Sequence, residues 1–208
     1  MIRELRFAAP LVYSKRGESA AAVNSRRLRD RLKRVDVGLY DRIARYVLKC
    51  REEGHFADFF GADVAAVPVP GHAPLAPGAI DNTTRIAEAL QRVGLVHEVL
   101  NVLTRARAVK KSAFATAADR PRAATHFESL AVQPSLVRPT RLLLIDDFIT
   151  RGATLLGAAS RLQLAYPQSE IRGFALVRSM TDGDIAAIGA PCEGTVTLNE
   201  AGESTRRP

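Results

Sequence analysis

Two neighbouring acids, Asp146 and Asp147, follow four apolar residues (Leu142, Leu143, Leu144 and Ile145) and precede a turn rich in hydroxyls and glycine. After Phe148 and Ile149 that turn reads Thr150, Arg151, Gly152, Ala153 and Thr154, and a helical pattern opens beyond it. Backbone N–H groups at a strand-to-helix turn of this kind converge on one point, and the helix dipole adds positive potential there. The point suits a phosphate. Ionised carboxylates beside it are acceptors for sugar hydroxyls, or ligands for a hydrated divalent cation. Two other readings stay open: a plain strand end with one acid capping the helix, and a magnesium-binding acid of a nucleotide triphosphatase. The second is weakened by the absence of any G-x-x-x-x-G-K-[ST] run.

The elements that must hold these groups are read from periodicity. Residues 142–145 form a buried central strand, and Leu155, Leu156, Ala159, Leu162 and Ala165 give the next helix an apolar face that Pro167 ends. Residues 63–70 read as a short parallel strand that runs into a loop, because Pro68 and Pro70 do not both fit a central ladder. A helix follows, capped by Asp81, Asn82 or Thr83 and stopped by Gly94. Further strands are expected at 98–103, 127–132, 171–177 and 195–198, with one more at 5–12 in an otherwise irregular N-terminal stretch. A helical pattern runs from Ser25 to Gly54, with Gly38 as its expected interruption. Strands alternating with helices predict an α/β fold: a mostly parallel sheet flanked by helices on both faces, with its ligand crevice at the strand C-termini. The loop at Pro70 and Gly71 and the turn from Asp146 to Thr154 both fall there, which points to one shared site.

The run from Leu142 to Thr154 resembles the phosphoribosyl-diphosphate (PRPP) binding motif of the type I phosphoribosyltransferases: four apolar residues, two acids, two apolar residues, then Thr, a variable residue, Gly, any residue and Thr. Phe148 is bulkier than the usual aliphatic, and Arg151 stands where Thr or Ser is common. A weaker likeness spans residues 63–178 and is nearest the ComF-like branch linked to DNA uptake, on the segments AAVPVPGHAP, LTRARAVKKSA and the His126-Phe127 pair. The resemblance implies that Thr150, Arg151, Gly152, Ala153 and Thr154 cradle the 5′-phosphate, and that Asp146 and Asp147 receive the ribose hydroxyls. It also implies that Pro70, Gly71 and His72 form the diphosphate loop, and that the basic segment with Arg105, Arg107, Lys110 and Lys111 is a flexible hood. Lys110 and Lys111 are then the cations brought to the leaving diphosphate, with Mg²⁺ held mainly through PRPP. The expected activity is transfer of phosphoribose to an unidentified acceptor nitrogen; the alternative is a non-catalytic module that senses PRPP or a nucleotide, or a competence-associated protein. Two features depart from the ComF-like pattern: there is no paired CxxC ribbon, and no arginine follows the Pro70/Gly71 loop before Arg85.

Composition sets the outer limits. The 208 residues suit one α/β domain with elaborations, divided as a basic helical arm (1–60), a core (61–182) and a C-terminal extension (183–208) that frays at a polar end. A hydrophobic content of 47% with 25% charged residues excludes disorder throughout. Cys50 and Cys192 are too few for a disulfide framework or a zinc site, no apolar run reaches the roughly 20 residues of a membrane span, and MIRELRFAAP lacks a signal-peptide core. A cytoplasmic location is expected. Between residues 15 and 51 twelve Lys or Arg face four Asp or Glu, an excess equal to the whole formal charge of +8. Such an arm suits a polyanion, nucleic acid included, or is a solvated basic helix face. A homodimer is left open.

Overall fold

The computed structural model describes residues 1–34, 36–76, 78–110, 121–133, 135–180 and 183–208. The chain is an α/β protein in which five parallel strands form most of a seven-stranded mixed sheet. The strands are β1 (Glu4–Ser14), β2 (Gly61–Pro68), β3 (Val96–Val99), β6 (Arg141–Ile149), β7 (Glu170–Met180), β8 (Gly189–Leu198) and β9 (Ser204–Arg207), in the order β3-β2-β6-β7-β1-β8-β9. The last two run antiparallel to their neighbours. A separate two-stranded ribbon joins β4 (Leu103–Arg105) to β5 (Leu130–Val132).

Strand β6 is apolar at every position from Leu142 to Ile145 because both of its faces are covered. Leu143 and Ile145 pack with helices α1 (Ala20–Lys33), α2 (Val37–Glu52) and α3 (Asn82–Arg92). Leu142 and Leu144 pack with α4 (Ala123–Ser129) and α5 (Ala153–Ala165) on the other face. The stripe Tyr40, Ile43, Ala44 and Val47 of α2 is core, and the Tyr40 hydroxyl donates to the Leu32 carbonyl at 3.1 Å. Phe56 and Phe60 sit edge-on against Phe174 of β7, the latter with ring centroids 5.3 Å apart.

Several boundaries differ from the sequence expectation. The break between the first two helices falls around Asp36, whose carboxylate accepts from the Leu39 N–H at 3.0 Å and so caps α2; Gly38 lies inside that helix. The strand expected at 98–103 is two strands, β3 and β4, and the segment expected as strand at 127–132 is half helix, the end of α4, and half strand, β5 at Leu130–Val132. The N-terminal strand is longer than expected and lies inside the sheet, between β7 and β8. The polar end that reads as frayed carries β9. Its hairpin is closed by the Asn199 side chain, which accepts from the Glu203 N–H at 2.8 Å, and by Gly202 at φ 75°.

At the N-terminal ends of the strands, arginines and acids tie the sheet edge together. Arg172 bonds Glu170, Arg141 reaches Asp63 and Arg6 reaches Asp58, while Arg6 and Arg172 both lie over the Phe59 ring. These exposed pairs each contribute about 1 kcal/mol or less. Among the described residues no helix is long and apolar enough to cross a membrane.

Candidate functional site

The crossovers leaving β2 and β6 go to opposite faces. The chain passes from β2 through α3 to β3, and from β6 through α5 to β7, while β2 and β6 are hydrogen-bonded neighbours. Their C-terminal ends therefore lie at a topological switch point, where open α/β sheets place their ligands. The chain leaving β2 stays against β6 there, since the Val69 N–H donates to the Ile145 carbonyl at 2.9 Å.

Asp146 and Asp147 are half-buried at the end of β6. Strict alternation would put Ile145 and Phe148 on opposite faces, yet both pack against the α1–α3 core, so the alternation slips across the acid pair. Each carboxylate is turned back on its own strand: Asp146 accepts from the Asp147 N–H at 2.9 Å, and Asp147 from the Phe148 N–H at 2.7 Å. Burial and then the charge of Asp147 push Asp146 well above the ordinary carboxylate value. Burial also raises Asp147, and the charge of Asp81 adds to the effect on both acids. Asp146, Asp147 and Asp81 thus lie close enough to repel one another, an arrangement that a hydroxyl-bearing ligand or a cation would relieve.

The turn after the acids is shaped by Gly152, which has φ 80° and forms the N-cap of α5. No side chain caps this helix and its first turn carries no acid, so the amides at its start are left for another acceptor. A Cβ on Gly152 would overlap the methyl groups of Val196. Arg206, the register partner of Val196 on β9, donates to the Ser179 carbonyl at 2.7 Å, and Arg178 is the register partner of Ile149. Neither arginine has an ion pair among the described residues, and Arg178 Nε, Arg206 Nε and Arg206 Nη1 are buried without acceptors. The turn therefore has positive charge beside it that local sequence patterning did not reveal.

The Pro70/Gly71 loop is held from below by Arg105, which is 5% exposed. Its guanidinium donates to the Gly71 carbonyl at 2.8 Å, the Pro70 carbonyl at 3.1 Å and the Ser129 hydroxyl at 2.6 Å. This fixes both carbonyls and leaves the Gly71 N–H to Asp81, whose carboxylate accepts from it at 2.6 Å. Asp81 is the N-cap of α3 by position but makes no capping bond; it serves the loop instead. Arg105 was expected in a mobile hood and is instead a buried clamp. The His72 carbonyl accepts from the Val109 N–H at 2.7 Å, which brings the chain leading to Lys110 over this loop. His72 and Lys110 are both exposed; Lys111 lies outside the described residues.

His126 of α4 is 5% exposed and faces the turn, with Nε2 3.4 Å from the Thr154 hydroxyl and Nδ1 unpaired. Gly157 permits this approach, because a Cβ there would lie 2.7 Å from that of His126. Burial, and then the charge of Arg105, hold the imidazole down to about 4 from its ordinary 6.5. A folded-state value below the unfolded one means the unfolded chain binds the extra proton, so stability falls as pH drops from 6.5 towards 4. The loss approaches about 3 kcal/mol at 1.36 kcal/mol per unit. Urea unfolding at pH 7 and pH 4.5 should show His126→Gln losing less stability than wild type by an amount of that order. An equal loss in both proteins would remove the buried neutral imidazole from the account.

No family model matches the sequence, and no curated protein matches it. The structure places Asp146, Asp147, Thr150, Arg151, Gly152, Ala153, Thr154, Pro70, Gly71 and His72 on the two segments at the C-terminal ends of β6 and β2. Asp81, His126, Arg178 and Arg206 are the additions, and Arg105 belongs to the site as a buried clamp. Among the described residues no group of three or more His, Cys, Asp or Glu is arranged to hold a metal ion. The cations of the N-terminal arm are partly engaged within the protein: Arg26 donates to the Ser14 and Gly17 carbonyls, Arg29 to Asp30 and Tyr13, and Arg31 to Asp36.

Proposed function

We propose that this protein is a phosphoribosyltransferase that binds PRPP with Mg²⁺ and moves phosphoribose to an acceptor nitrogen, releasing diphosphate. The observation that carries the reading is the uncapped start of α5 behind a left-handed Gly152, directly after an acid pair that burial holds above the ordinary carboxylate value. The likeness of residues 142–154 to the PRPP motif supports it.

In this reading the amides and hydroxyls from Thr150 to Thr154 bind the 5′-phosphate, and Arg178 and Arg206 add positive potential. Asp146 and Asp147 accept the ribose hydroxyls. Their negative charge stabilises the positive charge that builds at C1′ as the bond to diphosphate breaks. The Pro70/Gly71 loop offers its N–H to the departing diphosphate once Asp81 yields it. Lys110 and Lys111 approach from the hood and exclude water from a ribosyl cation that would otherwise be hydrolysed. Mg²⁺ fits as a partner held largely by the substrate, since it favours oxygen ligands and commonly takes only one or two carboxylates alongside phosphates. When bound it neutralises the diphosphate and makes it a better leaving group.

A panel of purine and pyrimidine bases incubated with PRPP and Mg²⁺ tests the transferase. Diphosphate release that depends on one class of base is the expected result. PRPP binding without release under any base would reduce the protein to a sensor of PRPP.

A further inference from the structure

The two phosphate-binding ends of the proposed site are joined by one buried chain of contacts. At one end Arg105 holds the Pro70 and Gly71 carbonyls. Its third donor meets the Ser129 hydroxyl at 2.6 Å, and that hydroxyl donates in turn to the His126 carbonyl at 3.0 Å. The His126 ring closes the chain at the Thr154 hydroxyl, on the first turn of α5. Arg105, Ser129 and His126 are all buried, so few compensating contacts with water are available if one link shifts. Arg105 also lies within the field of Asp146 and Asp81.

We infer that Arg105 is a positioning residue that couples the diphosphate loop to the 5′-phosphate turn, so that a ligand at either end raises affinity at the other. This rests on the phosphoribosyltransferase reading for the identity of the two ends. The physical basis is the planar guanidinium, which meets three acceptors at fixed angles. Displacing the loop carbonyls rotates the fork, which moves Ser129 and the α4 segment that bears His126. Ordering one end therefore removes part of the cost of ordering the other.

Arg105→Lys keeps the charge and loses the fork. Isothermal titration of the full-length protein with inorganic diphosphate, with ribose 5-phosphate, and with each in the presence of the other and Mg²⁺ measures the coupling. In wild type each ligand should tighten the other by about 5-fold or more, and by the same factor in both directions. In Arg105→Lys the factor should fall to about one while ribose 5-phosphate alone binds as in wild type. Ser129→Ala, which breaks the chain beyond the loop, should lose the coupling yet keep wild-type affinity for diphosphate alone; it also decides the matter if the lysine variant fails to fold. Wild-type coupling retained in either folded variant overturns the inference, as does independent binding of the two ligands to wild type. Wild-type protein that binds neither ligand removes the phosphoribosyl reading itself, and the inference with it.

Discussion

Asp147→Asn should lower phosphoribosyl transfer by roughly 10²–10³-fold, the scale seen when one preorganised electrostatic partner of a transition state is removed. It should also make the unliganded protein more stable. Both effects come from the same charge. Asparagine keeps the acceptor for the Phe148 N–H and abolishes the carboxylate that burial and Asp81 disfavour. It also removes the charge that, after burial, does most to raise Asp146. The sign follows from linkage: acids with raised folded-state values bind protons that the unfolded chain has lost, so stability falls as pH rises above about 4 towards those values. The melting temperature of the variant should exceed that of wild type by a few degrees at pH 8, where about 1 kcal/mol moves a chain of this size by 2–4 °C. The gap should close as pH approaches 4. An inert but destabilised variant would show that Asp147 supports the fold and that its loss acts through structure.

Gly152→Ala should be the most damaging single-methyl change at the site. A left-handed conformation costs a non-glycine residue about 1–2 kcal/mol. The new methyl also meets Val196 from β9's neighbour strand β8, and overpacking of this kind costs about 1–3 kcal/mol. Together the melting temperature should drop on the order of 10 °C, at 2–4 °C per kcal/mol. Phosphate affinity should be lost at temperatures where the variant is still folded, because the turn cannot keep its shape. Adding Val196→Ala should recover the steric part of the stability and none of the affinity, since the backbone strain stays. Full recovery of binding in the double variant would mean that the turn tolerates an ordinary residue and that its left-handed geometry is incidental.

The parts legible in the sequence are those whose neighbours in space are neighbours in the chain. Strand β6 was readable because Leu142 to Ile145 are apolar at every position, the mark of a strand covered on both faces. Helix α5 and its turn were readable from local spacing. Arg105 was not, because four cations between residues 105 and 111 look alike until the fold buries one of them against carbonyls 34 and 35 residues away. Asp81 carried the usual signature of a helix cap, and only the approach of Gly71 diverts its side chain. Strand β9 has four polar residues, and its order comes from pairing with β8, whose own pairing partner is at the other end of the chain. His126 was noted as part of a motif, but its burial against Thr154 depends on Gly157 letting two helices close.

In the proposed function the turn and acid pair after β6 form a single receptor for a phosphorylated ribose donor. Calorimetric titration of PRPP into the protein with Mg²⁺ tests it most directly. Saturable binding by wild type that disappears in Asp147→Asn and in Gly152→Ala is the predicted result. Absence of binding by folded wild-type protein, or equal affinity in all three proteins, would contradict it.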